Sequence, residues 1–416
     1  MPNAFLARQP IYDRKLEVFG YELLFRSGES GHAEFADADQ ATSQVLLNAF
    51  MEIGMENIVG DRIAFINLTR AFIMGHYPLP FPPGKGCLEI LEDIKVDAEL
   101  VEAVRHLSGQ GYTIALDDFV YHETLRPLVK LADIIKIDVL ALDRAELKRH
   151  VALLRKFGAK LLAEKVETQD DYAFCRDIGF DYFQGYFFCK PKIISGSRMP
   201  ANRLVALRLL AGLQNPDIRI DELDALVSQD VTMSYKLLRC INSAFYSLPR
   251  KVESIRQAIV ILGIQWLKTW VSLMVLANID DKPRELMITA MVRAKMCELL
   301  AAAAGQKGAE RFFIAGLFSV LDALMDRPLE ELLKTLPLSD DISAALLQHQ
   351  GPLGPTLHCV LAYDRGDWDE VHCPVLSTSE VTQTYLDAVA WAGQVAQALL
   401  ADDGPPPPTR RLGKAA

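Results

Sequence analysis

Five short apolar runs in the first 190 residues end in a carboxylate or an amide, and no other feature narrows the fold as far. Ile63-Ala64-Phe65-Ile66 runs into Asn67, Cys87-Leu88 into Glu89, and Thr113-Ile114-Ala115-Leu116 into Asp117-Asp118. Leu161-Leu162-Ala163 ends in Glu164 and Tyr182-Phe183 in Gln184, while Lys136 lies inside Ile134-Ile135-Lys136-Ile137-Asp138. Parallel strands are buried on both faces and read as continuous hydrophobic stretches. Polar groups at their C-terminal ends must then converge, and in a (β/α)8 barrel they converge on one rim, where such folds keep their chemistry. Oxygen ligands in that number on one rim predict a site for hard divalent cations.

Between the runs lie helical stretches, among them Asp97 to Val104 and Leu147 to Phe157, the second leading through Gly158 into the next strand. Strands spaced ~20–30 residues apart with helices between them predict βαβ units and a parallel sheet. That spacing suits a closed TIM-like barrel and equally an open doubly wound sheet. Near Ser195-Gly196-Ser197 the character changes. Ile255, Ala258, Ile259 and Leu262 keep helical spacing, as do Leu204, Leu207 and Leu210, and Asp221 stands as an N-cap before Leu223. The later region is therefore expected to be an all-α bundle. At 416 residues the chain exceeds one ordinary core. Two domains, 1–197 and 198–400, are expected to share few core contacts and to fold separately. The tail 401–416, with Pro405 to Pro408, is expected to be disordered.

A formal net charge of −10 argues against direct nucleic-acid binding, which needs a basic surface. The start Met1-Pro2-Asn3-Ala4-Phe5 lacks the basic and apolar regions of a signal peptide. The most apolar later stretch, Trp266 to Ile279, contains Lys268 and falls short of the ~20 residues that span a bilayer. It reads as a buried helix, so no membrane partner is expected. Seven cysteines without CxxC pairing predict reduced thiols and a cytoplasmic location.

The order Glu22-Leu23-Leu24, Asn67, Glu89-Ile90-Leu91-Glu92, Asp117-Asp118-Phe119, Lys136-Ile137-Asp138, Ala163-Glu164-Lys165-Val166-Glu167-Thr168 and Gln184-Gly185-Tyr186 resembles the EAL family of cyclic di-GMP phosphodiesterases. The likeness covers nearly all of residues 1–195. It implies that Glu22, Asn67, Glu89 and Asp117 hold a first metal, that Asp118 and Glu164 serve a second, and that Asp117 bridges them. It implies further that Lys136 holds the attacking water, that Arg26 contacts a substrate phosphate, and that Gln9, Glu167 and Gln184 support the same rim.

The chemistry agrees with those residue types. Hydrolysis of a phosphodiester needs a strong nucleophile at neutral pH and neutralisation of the leaving oxygen, and two cations ~3.5–4 Å apart, Mg²⁺ or Mn²⁺, supply both. Without cations, the carboxylates Glu22, Glu89, Asp117, Asp118 and Glu164 are expected to raise at least one pKa among them. Two departures from the family pattern stand out. The loop after the aspartates reads Val120-Tyr121-His122-Glu123-Thr124 where the family has small hydroxylated residues, and Lys165 replaces a glycine. They put turnover and control by a homodimer in question more than the ligand set.

The helical region resembles the HDOD domain, a relative of metal-dependent HD phosphohydrolases, through Leu237 to Tyr246 and Ser254 to Gly263. Where a catalytic relative carries His-Asp, this chain has Ser319-Val320, which offer a metal neither imidazole nor carboxylate. His349 and His358, nine apart, are read as ordinary packed or surface residues. The expected function is metal-dependent hydrolysis of cyclic di-GMP to linear pGpG, with the HDOD domain as a non-catalytic regulatory or docking module for a signalling protein. The alternative is an inactive cyclic di-GMP receptor or scaffold that signals through the HDOD domain.

Overall fold

The computed structural model describes residues 4–27, 55–79, 81–92, 94–190, 201–215, 217–228, 233, 237–238, 241–242, 252, 254–277, 279 and 282–400. The break at Ser195–Ser197, the segment Ser243 to Tyr246 and the tail 401–416 lie outside the described residues. Eight strands close into a barrel in sequence order: β1 (Ala4–Asp13), β2 (Val18–Ser27), β3 (Ile63–Leu68), β4 (Gly86–Ile90), β5 (Thr113–Leu116), β6 (Ile134–Asp138), β7 (Lys160–Glu164) and β8 (Tyr182–Gln184). Closure settles the choice between a barrel and an open sheet.

The barrel is not wholly parallel. β1 pairs antiparallel with both β2 and β8, whereas β2 through β8 run parallel. The physical reason is the short connection after Asp13, whose carboxylate accepts from the backbone N–H groups of Lys15 and Glu17. A turn of that length makes a hairpin, and a parallel pair would need a crossover of a dozen or more residues. The connecting helices follow their sequence signals. Ala98–Gly109 is capped by Asp97 accepting from Leu100 N–H, and the turn after Phe157 ends at left-handed Gly158.

Side chains alternate across a strand, so residues two apart share a face. Inside the barrel this produces two layers. The lower layer is apolar: Ile11, Phe65, Cys87, Ala115, Ile134 and Leu162 pack together, with Tyr182 against them. Gly20 completes it by omission, since a Cβ there would lie 2.7 Å from the Ile63 carbonyl and 2.9 Å from the Phe65 ring. Two residues on along each strand, or two back along reversed β1, come Gln9, Glu22, Asn67, Glu89, Asp117, Lys136, Glu164 and Gln184.

The helical region contains Ala201–Gln214, Ile220–Ser228, Ile255–Leu262, Ile264–Ala277, Arg284–Ala303, Ala309–Phe318, Asp340–Gln348, Gly354–Arg365 and Thr378–Leu400. Ser254 caps Ile255–Leu262 by accepting from Gln257 N–H. Asp221 lies inside its helix's first turn instead of capping it, and its carboxylate accepts from Arg256. Helix Ile264–Ala277 is buried along most of its length, Lys268 included, and no described helix is long and apolar enough to cross a membrane.

The two regions share far more than the composition break predicts. Buried side chains of the barrel wall and the helices form one continuous apolar cluster. Strand β1 is stitched to the last helices: Tyr363 donates to the Leu6 carbonyl, and Arg8 N–H donates to the Tyr385 hydroxyl. Phe5 stacks on Trp368 at 5.1 Å, and Tyr21 donates to Glu285. A hairpin strand without a following helix leaves its outer face uncovered, and the C-terminal helices supply the cover.

Candidate active site

The upper layer of the barrel is one connected polar set. Lys136 Nζ, fully buried, lies 3.1 Å from Glu22, 2.7 Å from Glu89, 2.7 Å from Asp117 and 3.0 Å from Glu164. Gln184 donates to Gln9 Oε1 at 2.8 Å and to Glu22 Oε2 at 2.6 Å, and Asn67 donates to Glu22 Oε1 at 3.2 Å. All eight polar positions of the layer were legible as strand-end polar residues or from the resemblance. Asp138, two residues along β6 from Lys136, pairs with Lys165 instead of joining this set.

One ammonium cannot satisfy four carboxylates. Burial pushes Glu89 well above the ordinary carboxylate range, helped by Glu22 and Asp117 and only partly opposed by Lys136. Glu164 is raised for the same first reason, burial, against the pull of Lys136. Burial works against the Lys136 charge, yet the surrounding carboxylates hold its pKa well above the usual lysine value. The expectation of at least one raised carboxylate is therefore met twice.

The donor set fits hard divalent ions. Glu22, Glu89 and Asp117 each offer an oxygen, and these oxygens lie within 4.8 Å of one another. Glu89 Oε2, Asn67 Oδ1, Asp118 Oδ1 and Glu164 Oε2 are buried without a hydrogen-bond partner, and Glu89 Oε1 has only the Lys136 ammonium. Buried acceptors in that state are costly unless something else takes their lone pairs, and an all-oxygen set of carboxylates and one amide suits Mg²⁺ or Mn²⁺.

Three expected residues stand away from the layer. Arg26, four residues beyond Glu22 on β2, donates to Asp369 at 2.7 Å in the turn Trp368–Glu370. Glu167 pairs with Lys190 at the surface. Asp118 borders the mouth, its Oδ2 3.7 Å from Lys165 Nζ. Sequence reading missed Asp138 and Lys165 as parts of this mouth. Asp138 had a signal, since it lies two residues beyond Lys136 on the same strand face. Lys165 was marked only as the replacement of a glycine, because its direction depends on a left-handed backbone.

The altered loop is ordered by its own side chains. Tyr121 and Arg126 both donate to Glu123, and Phe119 N–H donates to the Lys136 carbonyl. At the other end of the rim, left-handed Gly185 lies so close to Val166 that a Cβ would fall 2.1 Å from its carbonyl oxygen. In the helical region, Ser319 accepts from buried Arg293, which also donates to Asp364. His349 and His358, nine apart in sequence, bring their rings to 5.2 Å.

Known proteins align with both regions. The EAL domain model matches residues 60–191 and the HDOD domain model residues 199–326. "Cyclic di-GMP phosphodiesterase CdgJ" of Vibrio cholerae serotype O1 is 37% identical over 404 residues, covering 95% of this chain and 94% of its own. "Uncharacterized protein YuxH" of Bacillus subtilis is 34% identical over 405 residues, covering 94% and 98% respectively. Among solved structures, "PaMucR Phosphodiesterase, c-di-GMP complex" is 25% identical, covers 49% of this chain and 99% of its own, and has a TM-score of 0.38.

Proposed function

The chain belongs to the family of proteins that join an EAL domain to an HDOD domain, and on that premise we propose that it hydrolyses cyclic di-GMP to linear pGpG with Mg²⁺ or Mn²⁺. The observation that carries the reading is the buried set of four carboxylates around Lys136 at the C-terminal ends of the strands. Glu22, Asn67, Glu89 and Asp117 would hold a first ion, with Asp117, Asp118 and Glu164 turned toward a second. Bound ions supply an activated water and neutralise charge on the leaving oxygen.

The rest of the work falls to the chain's own groups. Lys136 pulls the carboxylates toward ionisation, though burial still raises Glu89 and Glu164, and with three N–H donors among them it can share one with an incoming water. Gln184, itself held by Gln9, donates to Glu22 Oε2 while Asn67 donates to Oε1, so the Glu22 carboxylate is fixed at both oxygens. The apolar layer below excludes water and stiffens the strand ends. Arg26 and Glu167 are assigned to substrate contact at the rim; Arg26 must leave Asp369 to do so.

The division at 1–197 and 198–400 is retained as a functional one, with the helical part a non-catalytic regulatory or docking module. Its contacts with β1, β2 and Tyr186 support that role, since they reach β2, the strand that carries Glu22 and Arg26. A homodimer and a signalling-protein partner belong to the same proposal. So does a cytoplasmic location, supported by six free cysteines among the described residues.

Calcium and manganese separate the enzyme from a receptor. Ca²⁺, with looser coordination, should support nucleotide binding and poorly support hydrolysis. Exchange into Mn²⁺ should convert bound cyclic di-GMP to the linear dinucleotide, and Lys136→Ala should bind without converting. Nucleotide that survives for hours in Mn²⁺ with the wild-type chain would leave the receptor reading in its place.

A further inference from the structure

Lys165 directly follows Glu164, and its side chain turns back over the mouth of the polar layer. Its ammonium lies 2.5 Å from Asp138 Oδ2 and 3.7 Å from Asp118 Oδ2. Both Lys165 and Asp118 hold left-handed backbones, at φ 55° and φ 41°, a conformation that side chains with a Cβ rarely adopt. Asp138 is the register partner of Glu164 across β6 and β7, so the pair stands at the lip of the site. Asp118 has two different oxygens: Oδ2 faces the lysine, while Oδ1 is buried with no hydrogen-bond partner. Two carboxylates at the lip are thus joined by one side-chain cation, and two strained residues are spent on that arrangement.

We propose that Lys165 is a built-in cation for the outer half of the site, standing where a second divalent ion would draw on Asp118. The inner oxygens of Glu22, Glu89 and Asp117 hold the first ion tightly, and the second binds only by displacing the ammonium. Like charges a few ångströms apart repel, so an ion at Asp118 meets an opposing charge that the inner site does not. Lys165 is about half exposed, 52%, so it can swing into solvent and weaken the second ion without abolishing it. This rests on the two-ion reading of the rim and adds the order in which the ions enter.

The test counts ions, not turnover. The full chain is titrated with Mn²⁺, and free ion is measured by its paramagnetic resonance signal, for wild type, Lys165→Gln, Lys165→Gly and Lys165→Arg. Wild type and Lys165→Arg should bind one ion tightly and a second at least about tenfold more weakly. Lys165→Gln and Lys165→Gly should keep the first affinity and gain about fivefold or more in the second, with the spin-coupled signal of an ion pair at lower Mn²⁺. Gly accepts the left-handed backbone and Gln keeps an uncharged polar side chain only one atom shorter, so agreement between them excludes a folding artefact. Equal second affinities in wild type and both neutral variants would overturn the role of Lys165 and leave the site standing. A wild-type chain with no tight ion would overturn the metal-site reading and this inference together.

Discussion

The barrel and the helical cover each bury a polar cluster, and the two are built on opposite principles. In the barrel, four carboxylates face one ammonium, and several acceptor atoms have no donor. Under the cover, Arg293 gives Nε and Nη2 to Asp364 and Nη1 to Ser319, while Tyr363 reaches both the Leu6 carbonyl and Thr382. There Tyr21 donates to Glu285 with Arg8 over its ring, and none of these side chains is among the buried atoms without a partner. A buried charge breaks even only when paired and hydrogen-bonded. The satisfied cluster therefore holds the two regions together, and the unsatisfied one is held by them in readiness for cations.

If that contrast is right, mutations in the two clusters should fail in different currencies. The largest effect is expected at Arg293. Arg293→Met leaves the partly buried Asp364 without its partner and should cost about 3 kcal/mol of unfolding free energy, read from urea denaturation. A loss well under ~1 kcal/mol would mean that the interface cluster is decoration.

Glu22→Ala should do the reverse. Activity against cyclic di-GMP should fall at least about tenfold, equivalent to ~1.4 kcal/mol of barrier, while the metal-free protein loses less stability than Arg293→Met does. Wild-type-like hydrolysis in that variant would remove the site assignment.

Between these lies a pH effect. Burial raises Glu285 to about 7, against the pull of Arg8 and the Tyr21 hydrogen bond. A carboxylic acid raised on folding binds its proton more tightly in the folded chain. Its contribution is complete below the unfolded value of about 4.3 and is lost as pH rises through about 7, with a slope of at most ~1.4 kcal/mol per pH unit. Glu285→Gln should flatten the stability profile across that window relative to wild type, and an unchanged profile would place the titration elsewhere.

The smallest effect is expected at the exposed pair Arg26–Asp369. Asp369→Ala should leave the melting temperature unchanged, because exposed ion pairs contribute little. If Arg26 serves a substrate phosphate, its release should lower KM a fewfold with kcat unchanged. A constant KM would make the contact simple packing and weaken the case for control from the helical side.

Much of the site could be read before any coordinates, for a simple reason. A strand alternates with period two, so an apolar residue followed two positions later by a polar one, as in Phe65 and Asn67 or Cys87 and Glu89, already specifies a dry floor and a polar layer above it. Glycines were less legible. Gly20 belongs to the same pattern only because Phe65 fills the space its missing side chain leaves. The tilted contact of His349 with His358 was invisible, since it joins the end of one helix to the middle of another.

What the chain's own residues determined is the order of an α/β region before a helical one, six of the eight polar positions and the chemistry they invite, because these follow from local periodicity and residue type; Gln9 and Glu22 were marked by the family resemblance. Tertiary structure alone decided three things: that β1 runs backwards and takes its cover from helices more than 350 residues away, that Arg26 turns to Asp369, and that Lys165 closes over Asp118 and Asp138. Each depends on where a long side chain or an uncovered face finds its partner. That choice is made by packing between distant segments, which no local pattern encodes.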